Sequence, residues 1–199
     1  MAYALQQLSD IQYEYGQIDQ SFENCQKSLD IFLAKGKDTD SYLSVHYATL
    51  GSIKLAQGCL KEALSFYQKS NDILVVEYGQ QSTFQIGPLT NIGIVYFRWG
   101  RIDEAMSHFK TVLKIQRENY GNDYFETLNT LIWVANCHYA RLRLDEAYAL
   151  QNQALELILK HLGKDHYFLT YPYQNIGSVY LSQGQFEKAA DMYEKVYNI

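Results

Sequence analysis

Apolar side chains recur along the chain at three- and four-residue steps, as in Met106, Phe109, Val112 and Leu113, with polar residues between them. That period gathers the apolar set on one side of an α-helix, whereas a half-buried strand would alternate at every second residue. Short polar or glycine-bearing breaks punctuate the pattern. The segments between them predict ten helices, near 2–15, 18–34, 41–57, 60–78, 83–99, 102–120, 124–141, 144–161, 166–183 and 186–198. The linkers 35–40, 79–82, 121–123 and 163–165 are too short to mark a domain boundary, so one domain over 1–199 is expected.

The breaks fall on one ruler. Gly16, Gly58, Gly100 and Gly184 sit on ticks 42 residues apart, and the remaining tick holds Leu142. Five residues after the ticks stand Ser21, Ala63, Ala105, Ala147 and Ala189, and seven before them Ser9, Gly51, Gly93, Ala135 and Gly177. All ten are small, which lets paired helix axes approach closely. Eight before the ticks come Leu8, Leu50, Ile92, Val134 and Ile176, and two after come Ile18, Leu60, Ile102, Leu144 and Phe186, all apolar. A glycine at the tick ends the first helix of each pair in the left-handed backbone region at low cost. Asp19, Asp103, Asp145 and Glu187 then complement the dipole of the second helix. Three positions strain this scheme. At Leu142 the turn is either shifted and strained, or the helix continues through Arg141 and Arg143 to a tight bend; the continuation is the expectation. Pro88 and Pro172 lie early in the first helices of the third and fifth repeats, and bent first turns are expected there rather than late helix starts.

Ile92-Gly93 with Tyr96, then Ala105 with Phe109, resembles the tetratricopeptide signature; Ile176-Gly177 with Tyr180, then Ala189 with Tyr193, does so again. The 42-residue period resembles the kinesin-light-chain type, as does the linker Leu162-Gly163-Lys164-Asp165-His166, whose glycine recurs as Gly79 and Gly121, with Gly36 as a near match. The resemblance implies an all-α fold: a right-handed superhelical solenoid of antiparallel helix pairs, about five repeats over 1–40, 41–82, 83–123, 124–165 and 166–199. The first and fourth repeats depart from the signature, with Gln12 and Cys25 in one, and His138, Leu142 and Gln151 in the other. Repeat arrays need a terminal helix with a polar outer face. The chain stops inside a final second helix, so the expectation is a fragment of a larger protein.

Composition narrows the function. The formal net charge is −5 with no run of Lys and Arg, which argues against nucleic acid as a partner. No apolar run approaches the ~18 residues that span a membrane, and no secretion signal is visible. Cys25, Cys59 and Cys137 form no close pair, which argues against disulfides and a zinc site and for a reducing, cytoplasmic setting. The five histidines show no metal-binding spacing; a metal shared by His161 and His166 across their linker is a minor alternative. Cys137 and His138 diverge by about 100° on a helix, so they make no nucleophile–base pair. The glycines follow the ruler and form no phosphate loop. No enzyme, cofactor, metal or small-molecule substrate is expected.

What remains is binding. Eighteen tyrosines suit interfaces, where the ring packs and the hydroxyl stays wet. By the resemblance, the first helices line a concave ligand groove. The column in which carboxylate-clamping members carry lysine reads Gln6, Ala48, Thr90, Ile132 and Gln174, so clamping of a C-terminal carboxylate is not expected. The candidate groove residues are Asn91, Arg98, Asn129, Asn136, Tyr139, Tyr171, Gln174, Asn175 and Ser178. Asparagine amides both donate and accept, which suits the backbone of an extended peptide. In the resembling family Asn91 and Asn175 would contact cargo peptide; their alternative role is to bridge neighbouring repeats. The expected function is a scaffold that binds a peptide or partner domain. The alternative is a regulatory arm of a larger signalling protein, ATPase or transcription regulator.

Overall fold

Ten α-helices follow one another in a computed structural model that describes residues 1–34, 41–121 and 125–199. They are α1 Ala2–Glu14, α2 Ile18–Leu33, α3 Ser41–Ala56, α4 Leu60–Tyr78, α5 Ile86–Arg98, α6 Ile102–Tyr120, α7 Thr127–Ala140, α8 Leu144–Leu162, α9 Thr170–Ser182 and α10 Phe186–Tyr197. No strand occurs among the described residues. The expected linkers 35–40 and 121–123, the glycine Gly36 and the expected start of the seventh helix at 124 fall wholly or partly outside them.

The turns at the ticks share one hydrogen-bond pattern. At Gly58, its N–H donates to the Leu55 carbonyl (3.1 Å) and the Cys59 N–H donates to the Lys54 carbonyl (2.8 Å). These paired bonds satisfy carbonyls that the helix end would otherwise leave open, and they require a left-handed residue at the tick. The fourth turn corrects the expectation of a continued helix. The helix α7 stops at Ala140, Leu142 adopts φ +58°, and Leu142 and Arg143 donate to the Tyr139 and His138 carbonyls as their counterparts do. The turn keeps its register because those two bonds outweigh the left-handed penalty of about 1–2 kcal/mol for a residue with a side chain.

The prolines correct a second expectation. Three-residue 3-10 turns, Thr83–Gln85 and Tyr167–Leu169, precede α5 and α9, which start late at Ile86 and Thr170. Pro88 and Pro172 are therefore the third residues of their helices, where an N–H has no intrahelical acceptor, and the helices need not bend to accommodate them. Ser82 caps the first of these turns, accepting from Phe84 N–H, while the Gln85 side chain accepts from Ser82 N–H. His166 Nδ1 accepts from Phe168 N–H in the same place, so that ring closes a turn.

All ten small residues flanking the ticks are buried. At Gly51 and Gly177, seven before their ticks, an aromatic ring of the second helix lies on the backbone: Tyr67 over Gly51, and Tyr193 over Gly177. Each ring's hydroxyl is hydrogen-bonded to the next residue of the first helix, Tyr67 to Ser52 (2.9 Å) and Tyr193 to Ser178 (3.2 Å). The first hairpin closes instead through Ser9 and Ser21, whose hydroxyls each donate to the other's carbonyl at 2.8 Å. The helices form two compact units, Met1–Arg101 and Ile102–Ile199. In the first, Cys25 and Leu29 of α2 pack on Leu43, Leu50 and Ile53 of α3. In the second, Leu131 of α7 packs between Leu113 of α6 and Leu157 of α8.

Candidate functional site

The helical period sorts α7 into two faces. Leu128, Leu131, Val134, Ala135 and Cys137 are buried. Asn129, Ile132, Trp133 and Asn136, at steps of three, one and three, face a cleft of about 730 Å³ in the second unit. Tyr171 and Asn175, one turn apart on α9, face it from the other side. Phe125 and Glu126 ahead of α7 and Phe168 ahead of α9 close one end. The rings there are mutually packed, with Phe125 and Phe168 centroids 6.3 Å apart and Phe168 and Tyr171 also 6.3 Å apart. Trp133 is fixed by stacking on the buried Phe109 (5.5 Å, 11° between planes). The cleft thus offers aromatic walls, three asparagine amides and one carboxylate, that of Glu126. Such a surface can hold an extended peptide by backbone hydrogen bonds and apolar side-chain contacts.

The structure brings most of the predicted residues together. Asn129, Asn136, Tyr171 and Asn175 line this cleft. Asn136, Tyr139, Asn175 and Ser178 line a smaller cavity of about 70 Å³. The Tyr139 hydroxyl is bonded to the Ser182 hydroxyl of α9 at 2.8 Å. Gln174 lies exposed on α9 and lines neither space; its carbonyl accepts from Ser178. Asn91 and Arg98 lie on α5 in the first unit and line neither. The expected helices 124–141 and 166–183 take in Phe125 and Phe168, which stand instead in the turns ahead of α7 and α9, so helical periodicity gave no sign that the two rings close the cleft.

The first unit carries a second cleft, of about 630 Å³, between α1, α3 and α4. Asp10, Tyr13 and Glu14 stand on one side and Leu74, Tyr78 and Phe84 on another. The Asp10 carboxylate is held by Gln6 (2.9 Å) and Thr49 (3.2 Å).

Two arrangements resemble catalytic pairs and serve packing instead. Ser28 Oγ lies 2.8 Å from His46 Nε2, and His46 Nδ1 donates to the Tyr42 carbonyl at 2.7 Å. Both side chains are buried, 0% and 1% exposed, so no substrate reaches them. Burial also holds the His46 ring below its ordinary pKa, partly opposed by the Tyr42 carbonyl and Asp10. Cys137 is buried beside His138, and burial pushes its thiol up to about 12, the reverse of what a nucleophile needs. The three cysteines are free thiols. No group of three or more His, Cys, Asp or Glu is placed to hold a metal among the described residues, and no described helix is long and apolar enough to cross a membrane.

Comparison with known proteins agrees with this architecture. The family model described as "Tetratricopeptide repeat" matches residues 41–118 and 126–199. No curated protein matches the chain in sequence to a significant level. Among solved structures, the nearly identical TPR-like repeats assigned to a kinesin light chain of Podosopora anserina superpose with a TM-score of 0.80 at 17% identity, covering 98% of this chain and 93% of that one. A Rap protein complexed with competence and sporulation factor superposes with a TM-score of 0.80 at 11% identity, covering 99% of this chain and 53% of that one. The Rap conjugation gene regulator of plasmid pLS20, in complex with the Phr* peptide, gives 0.77 at 15% identity over 99% and 52%. At these identities the likeness concerns the fold.

Proposed function

Because the chain belongs to the tetratricopeptide repeat family, we propose that it is a protein-interaction scaffold whose second-unit cleft binds an extended peptide segment of its partner. The observation that carries the reading is the convergence of Asn129, Asn136 and Asn175 on a cleft walled by Phe168, Tyr171 and Trp133. Amides at both flanks pair with peptide backbone, and the rings take apolar side chains between them. Of the solved structures of similar fold, one is in complex with the Phr* peptide and another with competence and sporulation factor, which supports a binding role here. The reading needs no catalytic group, and the free thiols are compatible with a reducing, cytoplasmic setting.

The test is a displayed random-peptide library selected on the purified chain. Peptides that survive selection are expected to lose about tenfold or more in affinity on the Tyr171→Ala, Asn175→Ala double variant, since tenfold corresponds to about 1.4 kcal/mol. Helical circular dichroism should stay unchanged, because Tyr171 is exposed and Asn175 lies at the cleft. Peptides that bind both proteins equally would remove the cleft from the account. A second reading, a regulatory arm of a larger protein, draws on the Rap relatives, of which the chain matches about half. The sequence of the complete gene decides it: a coding region without a further domain would exclude it.

A further inference from the structure

The fourth hairpin lacks the aromatic lock of the second and fifth. Where those hairpins pair Gly51 with Tyr67 and Gly177 with Tyr193, the fourth pairs Ala135 with Gln151. An aromatic ring over Ala135 would collide with its methyl group, and the slimmer glutamine leaves space instead. That space is the cavity of about 70 Å³, and it shares Asn136 and Asn175 with the peptide cleft. Gln151 is 1% exposed and lines it. Its Nε2 donates to Asn136 Oδ1 at a long 3.5 Å, and its Oε1 has no hydrogen-bond partner. A buried acceptor without a donor is costly, and a ligand that supplies the donor recovers that cost.

We propose that this cavity is a selectivity pocket of the cleft and that it takes a carboxamide side chain, asparagine or glutamine, of the bound peptide. The assignment rests on the peptide reading above and follows from size, charge and hydrogen bonding. A water occupies about 30 Å³ of liquid, so the cavity admits a group of a few heavy atoms and excludes an aromatic ring. None of its lining residues carries a formal charge, so an ammonium, guanidinium or carboxylate would be buried unpaired. Gln151 Oε1 calls for a donor, while the Asn136 and Asn175 amides beside it can donate in turn. A carboxamide meets both demands at one end.

Two experiments separate the pocket from the cleft. The first compares peptides selected by display on the natural chain with their binding to the Ala135→Gly, Gln151→Tyr double variant, which rebuilds the lock of the second and fifth hairpins. Selected peptides are expected to share Asn or Gln at one fixed position. Replacing that residue by Ala should weaken binding tenfold or more on the natural chain and less than twofold on the variant. An equal penalty on both proteins, or selection without an amide position, would overturn the pocket and leave the cleft standing. If the double variant loses its helical signal, Gln151→Leu gives the same comparison. The second experiment titrates acetamide and follows the side-chain NH₂ resonances of Gln151, Asn136 and Asn175. Saturable shifts at all three are expected. Shifts without any selected peptide would leave a carboxamide site but overturn the peptide reading and with it the pocket's role in selectivity; selected peptides without shifts would overturn the pocket and leave the cleft standing.

Discussion

A methyl group placed on Gly51 would come within 2.8 Å of two carbons of the Tyr67 ring, and one on Gly177 within 3.0 Å of the Tyr193 ring. Tyr67 is 1% exposed and its hydroxyl is bonded to Ser52, so the ring cannot withdraw. Gly51→Ala therefore destabilises the chain by about 1–3 kcal/mol, although alanine favours the helix by about 1 kcal/mol over glycine. In a Tyr67→Gln background the same change has no ring to meet and should stabilise by about 1 kcal/mol. Urea denaturation of the four proteins in that cycle measures the sign reversal; equal effects in both backgrounds would refute the contact. The small column was legible in the sequence, Ala135 included, as was the departure from the signature at Gln151. Their coupling was not, because it depends on a ring from the neighbouring helix lying flat on a backbone.

At the scale of elements, helix existence was legible and the helix starts were not. Proline alone does not distinguish a bent turn from a late start; the capping side chains Ser82 and His166 decide it by closing a 3-10 turn first. The turn at Leu142 shows the same limit. Register bonds common to all five turns hold a leucine at φ +58°, where glycine would sit without strain. Leu142 is also 79% exposed, so its side chain contributes little packing. Leu142→Gly should stabilise by about 1 kcal/mol, read as a raised melting temperature, and a lowered one would contradict the assignment of strain. The helices α1, α2 and α3 are tied by one buried chain, with Ser28 bonded to the Ala2 carbonyl (2.6 Å) and to His46. The His46 ring titrates lower in the folded chain than in the unfolded one. The unfolded state then binds more protons as pH falls below about 6.5, so stability is full above that value and declines on acidification toward the folded pKa. Urea midpoints at pH 7.5 and 5.0 should differ, and differ less in His46→Gln; identical differences would discharge His46 of the effect.

For the molecule as a whole, the charge balance and the cleft have different reach. A net charge of −5 shapes its long-range field. The second-unit cleft itself presents amides and rings with Glu126 as its one ionisable acid. Peptide affinity should therefore change less than about threefold between 0.05 and 0.5 M NaCl, because screening acts on charges and hardly on amide or apolar contacts. Fluorescence titration at the two salt concentrations measures this; a steep loss would mean that binding uses charged surface elsewhere, with the acidic first-unit cleft of Asp10 and Glu14 the first place to look. That first cleft also marks what the sequence concealed. Its residues come from α1, α3, α4, the turn at Phe84 and Pro88 of α5, and a shared cavity among five elements leaves no single-period trace.

The aromatic lock has a consequence for how such a chain diversifies. A crossover inside a hairpin, at Gly184 for example, could join the Ala135-bearing helix of one repeat to the Tyr193-bearing helix of another and set a methyl group against a ring. A crossover at a linker such as Gly163 transfers both partners of the pair together. Gene recombination and engineered chimeras should accordingly preserve folding when whole hairpins are exchanged and lose it when single helices are, which makes the hairpin the heritable piece.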